Sequence, residues 1–312
     1  MNITISALAS QLRLLRPQHL RLLAELSESG VLGLAAARIG ITQPAASRLL
    51  AEMETQLGLV LHERQGRGLR LTPVGTLLAL RAKRIQIEIA DAARDLAEAV
   101  TGRAGVVRVG AVTGPALNLV LPALKRLSED QSGIRAEVTV ATSAVLCEQL
   151  REGRLDFALA RQAPSDRELE SEHVAGEPVS LVVRRGHPLL LLPQIAHADL
   201  MRFDWVMGDD ETLLTQSVMA RLGELRLPAP QRRISTSSFL FTLALINQSD
   251  CIAPLATPVV DSFAGNPSIP FISLPTDLGI AVPPFSLVTR VGSQLTPAAQ
   301  VLVDDILARA AA

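Results

Sequence analysis

Side chains that can recognise the edges of DNA bases stand close together in residues 42–48, Thr-Gln-Pro-Ala-Ala-Ser-Arg. If this segment is helical, Gln43, Ser47 and Arg48 fall on one side of it. Glutamine can pair bidentately with adenine, arginine with guanine, and serine can bond to a base or a phosphate. A good bidentate contact discriminates against the wrong base by about 1–3 kcal/mol. The spacing favours a DNA-reading helix, and the alternative is the hydrated face of an ordinary helical bundle.

The surrounding segments have the pattern of a helix-turn-helix. Leucines at helical spacing predict a helix over 18–29, and an alanine-rich stretch predicts a short helix over 34–39. A tight Gly-Ile connection leads to a third helix that ends near Leu57. Thr42 is placed as the N-cap of this third helix, and Pro44 lies in its first turn. Two helices joined by a short turn with glycine can set the second helix into the major groove.

The same region is basic. Residues 13–84 hold eleven Arg or Lys and five Asp or Glu, a balance of about +6 in a chain whose formal net charge is −1. Residues 59–72 predict two short strands around a glycine-rich turn, and this hairpin carries Arg64, Arg67 and Arg70. A basic N-terminal region on an acidic remainder is expected where one end of a chain meets phosphate. The alternative for the hairpin arginines is a solvated face.

The remainder of the chain predicts a long helix followed by an α/β fold. Apolar residues at heptad-like spacing extend over 76–100, and we expect them to pair with a partner chain because no obvious core explains so long a helix. After a hinge at 101–105, strands and helices alternate, which indicates a parallel sheet. A strand at 178–184 begins a second lobe, and a strand at 285–289 leads the chain back to the first lobe.

Small polar residues follow the predicted strands at the places where open α/β sheets bind ligands, beyond the carboxyl ends of the strands. Their hydroxyl groups can donate to a carboxylate or to sugar oxygens, and the alternative role of each is a helix N-cap. Trp205 is an aromatic candidate for the same cleft. The predicted ligand-binding residues are Thr113, Gly114, Thr142, Ser143, Gly208, Asp209, Ser237 and Ser238.

Residues 17–99 resemble the N-terminal region of LysR-type transcriptional regulators. The matching pieces, at the family's spacing, are the alanine-rich second helix, residues 42–48, Glu-Met-Glu at 52–54, Leu-Gly at 57–58, Leu-His-Glu-Arg at 61–64 and Leu-Thr-Pro-Val-Gly at 71–75. Three features depart from the family pattern. Met53 replaces the usual leucine at similar volume, His62 stands where phenylalanine is usual, and the leader before Pro17 is longer. The histidine leaves open how the base of the wing packs.

The resemblance covers nearly the whole chain, and it implies the fold. The expected fold is an N-terminal winged helix-turn-helix (mainly α) plus a long linker helix, followed by a two-lobed α/β periplasmic-binding-protein-like effector domain. The expected domains are a DNA-binding domain at 17–75, a linker and dimerisation helix at 76–101 and an effector-binding domain at 103–312. Within the last, lobe I spans about 103–175 and 283–312, and lobe II about 176–282.

The resemblance also implies partners and contacts. The expected partners are double-stranded operator DNA, a small-molecule effector and further copies of the chain in a homodimer or homotetramer. Residues 110–116, Gly-Ala-Val-Thr-Gly-Pro-Ala, resemble the subgroup that controls sugar-binding-protein and aromatic-acid operons. A sugar, a sugar acid or an aromatic or other organic acid is therefore the expected class of effector. The implied DNA-binding residues are Thr42, Gln43, Pro44, Ser47, Arg48, Arg64 and Arg67.

The sequence contains no pattern that indicates redox sensing, metal binding or catalysis. Cys147 and Cys251 are too few for a disulfide framework, and we expect buried structural thiols rather than a redox sensor. His173 and His187 lack the spacing of metal ligands and are predicted at surface or loop positions. No Ser/His/Asp or Cys/His constellation indicates an enzyme. The sequence therefore predicts no catalytic residue, no metal site and no cofactor.

Three further classes of protein remain as alternatives. A transport solute-binding protein, or an enzyme on the same scaffold, is disfavoured because a helix-turn-helix precedes the α/β domain. A general nucleoid protein is disfavoured by the near-neutral charge of the chain. The first residues lack the pattern of a signal peptide, and no apolar run approaches the length of a membrane span. We therefore expect a cytoplasmic protein that does not associate with membranes.

Overall fold

The computed structural model describes residues 5–65, 68–101, 105–129, 133–263, 269, 271–276 and 278–311. The chain forms two compact units, Met1–Gly102 and Arg103–Ala312, called the N-terminal unit and the C-terminal unit. Among the described residues, no helix is both long enough and apolar enough to span a bilayer.

The N-terminal unit combines helices with a small antiparallel hairpin. Its helices are α1 (Ile5–Leu12), α2 (Pro17–Ser29), α3 (Leu32–Arg38), α4 (Gln43–Leu57) and α5 (Pro73–Thr101). The hairpin pairs β1 (His62–Gln65) with β2 (Gly68–Leu71). The helices enclose an apolar core, and its fully buried side chains include those of Leu22, Leu26, Leu50 and Met53. The winged helix-turn-helix predicted from the sequence is confirmed.

The leader before Pro17 contains helix α1. An isolated helix of eight residues is marginal in water. Leu8 of α1 and Leu15 of the following turn pack against the core of the N-terminal unit. This tertiary burial of apolar surface is what stabilises so short a helix.

Helix α4 begins and ends as the sequence predicts. Thr42 Oγ1 accepts a hydrogen bond from the Ala45 N–H at 3.4 Å, and Pro44 lies in the first turn, where no intrahelical N–H is lost. At the other end, Gly58 adopts a left-handed φ of 61°, and its N–H donates to the Glu54 carbonyl oxygen. The apolar residues of its inner face are all buried, namely Leu49, Leu50, Met53 and Leu57.

The C-terminal unit is an α/β fold of two lobes. Its strands are β3 (Val106–Ala111), β4 (Arg135–Val140), β5 (Phe157–Ala160), β6 (Leu169–Arg184), β7 (Trp205–Met207), β8 (Arg233–Ser235), β9 (Ala253–Ala256), β10 (Phe271–Ser273) and β11 (Ala281–Arg290). Its helices are α6 (Thr113–Pro115), α7 (Leu121–Glu129), α8 (Ser143–Arg151), α9 (His197–Leu200), α10 (Leu213–Glu224), α11 (Phe239–Gln248), α12 (Thr257–Ser262) and α13 (Pro297–Ala310). A π-helical turn joins α6 to α7 at Ala116–Val120, and a 3₁₀ turn spans Pro188–Leu191.

Strands β6 and β11 run through both lobes. In lobe I the strand order is β4-β3-β5-β11-β6, with β3 parallel to β4 and β5, and β11 antiparallel to β5 and β6. In lobe II the second half of β6 pairs antiparallel with β9 and β10. Strands β7 and β8 are parallel, and β7 is bridged in parallel to Ile252, just before β9. The register between β11 and β6 shifts from Val282 to Ser286, where the chain passes between the lobes.

Apolar cores cover both faces of each sheet. Neighbouring strand residues point to opposite faces. Leu159 and Ala160 of β5 enter different cores in lobe I, and Trp205 and Val206 of β7 enter different cores in lobe II. Burial on both faces explains why these strands are continuously apolar rather than alternating.

Some predicted boundaries were wrong. The strand predicted at 178–184 begins earlier, at Leu169. The prediction missed the first half of this strand because that half exposes charged side chains, such as Glu170 and Glu172, and so lacks an apolar pattern. The strand predicted from Phe285 begins at Ala281. Helix α9, helix α12, strand β10 and the 3₁₀ turn were missed, because elements this short hold too few residues for a periodic pattern.

Candidate functional site: nucleic-acid interface and interlobe cleft

The exposed face of α4 carries the residues predicted to read DNA. Ala46, Leu49 and Leu50 face the core of the N-terminal unit and are buried. The opposite face presents donors and acceptors to solvent, as a helix that reads the major groove must. The exposed residues of this face, from the N-cap through the second turn, are Thr42, Gln43, Pro44, Ser47 and Arg48.

Packing and hydrogen bonds fix α4 to its neighbours. Ala35 of α3 and Ala46 of α4 are both buried with no exposed surface, and such small side chains let the two helices approach closely. Glu52 of α4 accepts a hydrogen bond from Arg16 at 2.6 Å, and it lies 3.4 Å from Nε2 of the buried His19 of α2. The exposed face of α4, which we call the recognition face, is therefore held by packed helices rather than by a loop.

Glu54 anchors the hairpin to α4. Its Oε1 accepts from the backbone N–H of Leu61 at 2.7 Å and from that of His62 at 3.2 Å. Nδ1 of the half-buried His62 ring lies 2.9 Å from the same oxygen. The histidine that replaces the family's phenylalanine is thus accommodated by a polar contact to the end of the recognition helix.

Gly75 lies where the start of α5 touches the base of the hairpin. A Cβ at this position would overlap the carbonyl oxygen of Leu61 and lie 2.9 Å from its carbonyl carbon. Thr72 Oγ1 donates to the Val60 carbonyl oxygen at 2.8 Å and accepts from the Gly75 N–H at 3.0 Å. The Leu-Thr-Pro-Val-Gly motif therefore closes the hairpin onto the long helix, and the glycine is needed for that closure.

The arginines of the hairpin are described only in part. Arg70 is exposed on β2. Arg67 and the side chain of Arg64 lie outside the described residues, so the DNA contacts expected of them stay predictions.

The carboxyl ends of the strands in the two lobes face one another. In lobe I, β3, β4 and β5 are parallel and therefore end at one edge of the sheet. In lobe II, the parallel arrangement of β7, β8 and Ile252 brings the ends of β7, β8 and β9 to a common edge. The two edges meet at Gly114 and Ala256, because a Cβ at Gly114 would lie 3.5 Å from Cβ of Ala256. We call the region between these edges the interlobe cleft.

The predicted ligand-binding residues follow the strands that end at this cleft, and two of them also have structural partners. Ser143 Oγ accepts a hydrogen bond from the Arg161 N–H at 3.1 Å. Ser238 Oγ caps α11 by accepting from the Phe241 N–H at 3.2 Å. Thr142, in contrast, is the N-cap of α8 without a side-chain cap bond. The exposed members of the set are Thr142, Asp209, Ser237 and Ser238, and the half-buried ones are Thr113, Ser143 and Gly208.

An ion pair that the sequence did not predict lies at the same edge. Arg161, the first residue after β5, pairs with Glu177 of β6, and its Nε donates to the Pro283 carbonyl oxygen at 2.5 Å. The two side chains are only 10 % and 6 % exposed. A Cβ at Gly114 would overlap Oε1 of Glu177, so the glycine leaves the space that the carboxylate fills. Arg161 could have been predicted, because ligand-binding residues tend to follow the carboxyl ends of strands. No pattern in the neighbouring sequence marks Glu177 as a candidate.

The cysteines are buried, as predicted. Burial raises the pKa of the Cys147 thiol, with Arg151 opposing the effect. A thiol with a raised pKa holds little reactive thiolate near neutral pH, which supports a structural role.

One of two predictions about aromatic rings was wrong. His187 lies in the loop after β6, in line with the predicted surface or loop position, but its ring is buried; its Nδ1 accepts from the Leu189 N–H at 3.1 Å, and burial lowers its pKa. Trp205 does not line the cleft, because it is fully buried in lobe II and donates from Nε1 to the Leu200 carbonyl oxygen at 3.2 Å. Within the described part of the chain, no cluster of three or more His, Cys, Asp or Glu is arranged to hold a metal ion.

Both units match models of a single protein family. Residues 17–76 match the bacterial regulatory helix-turn-helix protein of the lysR family, and residues 101–311 match the LysR substrate binding domain. The chain belongs to the LysR family. It is a DNA-binding transcriptional regulator with a substrate-binding effector domain, and the resemblance seen in the sequence is confirmed.

Curated relatives and solved structures agree with this family. The HTH-type transcriptional regulator GbpR of Rhizobium radiobacter is 39 % identical over 252 residues, covering 79 % of this chain and 83 % of the relative. GbpR of Azospirillum brasilense is 31 % identical over 290 residues, covering 92 % and 84 %. ArgP from Mycobacterium tuberculosis has a TM-score of 0.66 at 19 % identity, with 95 % and 97 % covered. Full-length CbnR complexed with its target DNA has a TM-score of 0.52 at 22 % identity, with 95 % and 100 % covered. The two structures share the fold of this LysR-family chain.

Proposed function

We propose that α4 reads operator DNA in the major groove through Gln43, Ser47 and Arg48. The observation that carries this proposal is that one face of α4 is exposed while the opposite face is packed into the core. Thr42 and Pro44 lie at the start of the same face. Arg64 and Arg67 of the hairpin are proposed to contact the DNA backbone or the minor groove.

Selection of DNA from a pool of random duplexes by the full-length protein tests this proposal. At a stated salt concentration, the wild type is expected to enrich one consensus. Gln43→Ala is expected to relax the preference for one base in each half-site and to weaken binding by about 1–3 kcal/mol. Gln248→Ala removes an exposed glutamine from the C-terminal unit and serves as the matched control. Equal binding of all duplexes by the wild type would favour a general nucleoid protein instead.

We infer that the interlobe cleft binds the effector. Polar groups follow the ends of strands in both lobes, and β6 and β11 are the strands that cross between the lobes. Such an arrangement suits a ligand that closes or opens the lobes about the crossing strands. A sugar, a sugar acid and an aromatic acid are the classes to test. The residues proposed to contact the effector are Thr113, Gly114, Thr142, Ser143, Gly208, Asp209, Ser237 and Ser238.

Thermal-shift screening of the full-length protein against these classes identifies the effector. Thr113→Phe and Ser143→Phe are expected to abolish the response to that compound and to leave selection of DNA unchanged. Ser165→Phe, at an exposed turn of lobe I, is the matched control. A compound whose binding survives both cleft variants would place the effector site elsewhere.

We further propose that α5 pairs with α5 of a second copy of the chain. Ala79 and Ala82 of α5 are fully buried within the N-terminal unit, whereas Ile85, Ile89 and Leu96 are 42 %, 51 % and 67 % exposed. Apolar side chains at this spacing on a helix favour a helix–helix interface. A homodimer, or a homotetramer built from it, presents two recognition helices to two half-sites.

Sedimentation of two variants tests this pairing. Leu96→Glu is expected to shift the protein toward the monomer, and Leu191→Glu, at a leucine of the C-terminal unit that is 82 % exposed, is expected to leave the wild-type mass. An unchanged mass for Leu96→Glu would count against the α5 interface.

We also infer that this regulator acts in the cytoplasm, where its DNA is.

A further inference from the structure

The ion pair between Arg161 and Glu177 has a position that a structural role alone does not require. It lies at the edge where the strands of lobe I end, beside Gly114 and Ser143, two residues proposed to contact the effector. Both charged side chains are at least nine-tenths buried. A buried ion pair is a weak source of stability, because desolvation of the charges offsets most of their attraction. Its place in the cleft therefore calls for another explanation.

The pair keeps hydrogen-bonding capacity for a ligand. A guanidinium group has five N–H donors, and a carboxylate has about four acceptor sites. Pro283 and Glu177 engage the Nε and one Nη2 donor of Arg161. A sugar hydroxyl both donates and accepts, so it can bridge from the carboxylate of Glu177 to the guanidinium of Arg161 without displacing either group.

The charges around the cleft disfavour an acidic ligand. Arg161 is already neutralised by Glu177. Across the cleft, the loop after β7 carries Asp209, Asp210 and Glu211, and Arg233 of β8 neutralises Asp210 at 2.6 Å. Among these described groups carboxylates are in excess. A carboxylate ligand that bonded to the remaining donors of Arg161 would lie beside the buried negative charge of Glu177, and this like-charge contact disfavours its ionised form.

We propose that the effector is a neutral polyhydroxylated molecule, such as a monosaccharide, whose hydroxyl groups are held by the Arg161–Glu177 pair. Glu177 is then the specificity-determining residue, because its charge excludes the corresponding sugar acid. Gly114 is needed because any side chain there would push Glu177 out of place. This inference rests on the proposed effector function of the interlobe cleft and narrows the classes left open there.

Matched pairs of neutral and acidic ligands test the proposal on the full-length protein. The probes are D-galactose with D-galactonate, D-glucose with D-gluconate and L-arabinose with L-arabinonate, measured by thermal shift and calorimetry at constant ionic strength. For the wild type, at least one neutral sugar is expected to bind, and its acid to bind at least about tenfold more weakly. A wild type that prefers the acids, or that binds none of the neutral sugars, overturns the proposal without any variant.

Glu177→Gln keeps the shape and an acceptor oxygen but removes the charge. It is expected to lose about tenfold in affinity for the neutral sugar and to gain affinity for its acid, because Arg161 is no longer neutralised. Glu172→Gln, at an exposed carboxylate of the same strand, is expected to keep the wild-type preference. A Glu177→Gln variant that folds and keeps that preference also overturns the proposal. If an acid binds the wild type and Thr113→Phe abolishes its binding, only this inference fails. If no cleft variant affects the bound compound, the proposed effector function fails as well.

Discussion

Two glycines, one in each unit, make room for a close approach, and they differ in what approaches. At Gly75 the neighbour is the backbone carbonyl of Leu61, and at Gly114 it is the carboxylate of Glu177. A backbone contact fixes the shape of the N-terminal unit, because backbone cannot move without unfolding the hairpin. A side-chain carboxylate can accept a further hydrogen bond when a ligand arrives. The N-terminal unit thus presents its proposed reading residues on an exposed helix face, whereas the C-terminal unit buries the Arg161–Glu177 ion pair at the edge of the interlobe cleft.

The difference extends to how charge is used. The recognition face of α4 ends in the exposed Arg48, whose charge is solvated and ready to meet DNA. In the cleft, the charge of Arg161 is buried and already compensated. A surface that binds a polyanion needs free positive charge, while a pocket that binds a neutral molecule needs paired charge.

Removing one member of the buried pair is expected to have the largest effect. Arg161→Met leaves Glu177 buried without a partner, and the free energy of unfolding is expected to fall by about 3–5 kcal/mol. Urea denaturation measures the loss. The double variant Arg161→Met/Glu177→Leu is expected to recover at least half of it, since an apolar pair can replace a buried ion pair. Additive losses in the double variant would show that the two side chains are not coupled.

A methyl group added at Gly75 is expected to lower the free energy of unfolding by slightly less. Gly75→Ala forces the start of α5 away from the Leu61 carbonyl, and overpacking of this kind destabilises by about 3 kcal/mol. Thermal unfolding of the N-terminal unit, followed by DNA selection, measures both stability and function. Gly223→Ala, in α10 with no atom within 4 Å of the new Cβ, is expected to be neutral or slightly stabilising. Equal stability of the two variants would contradict the role given to Gly75.

Removal of a solvated charge is expected to affect binding alone. Arg48→Ala is expected to weaken binding to the selected DNA by about 1–3 kcal/mol with no change in the unfolding temperature. Arg202→Ala removes one positive charge from an exposed position of the C-terminal unit and controls for net charge. Fluorescence anisotropy at two salt concentrations measures both variants. If Arg48→Ala binds DNA as tightly as the wild type does, Arg48 does not contribute to DNA recognition.

The smallest expected effect concerns a buried histidine far from any proposed contact. Burial lowers the pKa of His187 below its ordinary 6.5, so the fold favours the neutral ring. As the pH falls below about 6.5, the unfolded chain takes up the proton first, and stability declines until the folded pKa is reached. His187→Asn keeps an acceptor for the Leu189 N–H and is expected to show a flatter unfolding temperature between about pH 7.5 and pH 5.5. His173→Asn, at an exposed position, is expected to follow the wild type. An identical decline in His187→Asn would assign the pH dependence to other groups.

The two units also differ in how much of them the sequence predicts. Thr42, Pro44 and Gly58 define the ends of α4 by local rules, and the reading residues lie between them within a few turns. The cleft depends on several segments of the chain: Arg161 follows β5, Glu177 lies within β6, and Gly114 and Pro283 come from two further segments. Strand-end reasoning finds polar residues such as Thr113 and Ser143 but not a residue in the middle of β6. Glu177 can be placed at the cleft only when the register of β6 against β11 is known.

Hydrogen exchange of the full-length protein, measured with and without its selected DNA and with and without the bound sugar, separates the proposed roles of the two units. DNA is expected to slow exchange in the peptides that cover α4 and the hairpin of the N-terminal unit. Exchange in the peptides that cover the ends of β3, β5 and β7 is predicted to respond to the bound sugar. Protection by DNA in the strands of the C-terminal unit, with α4 unchanged, would contradict the account.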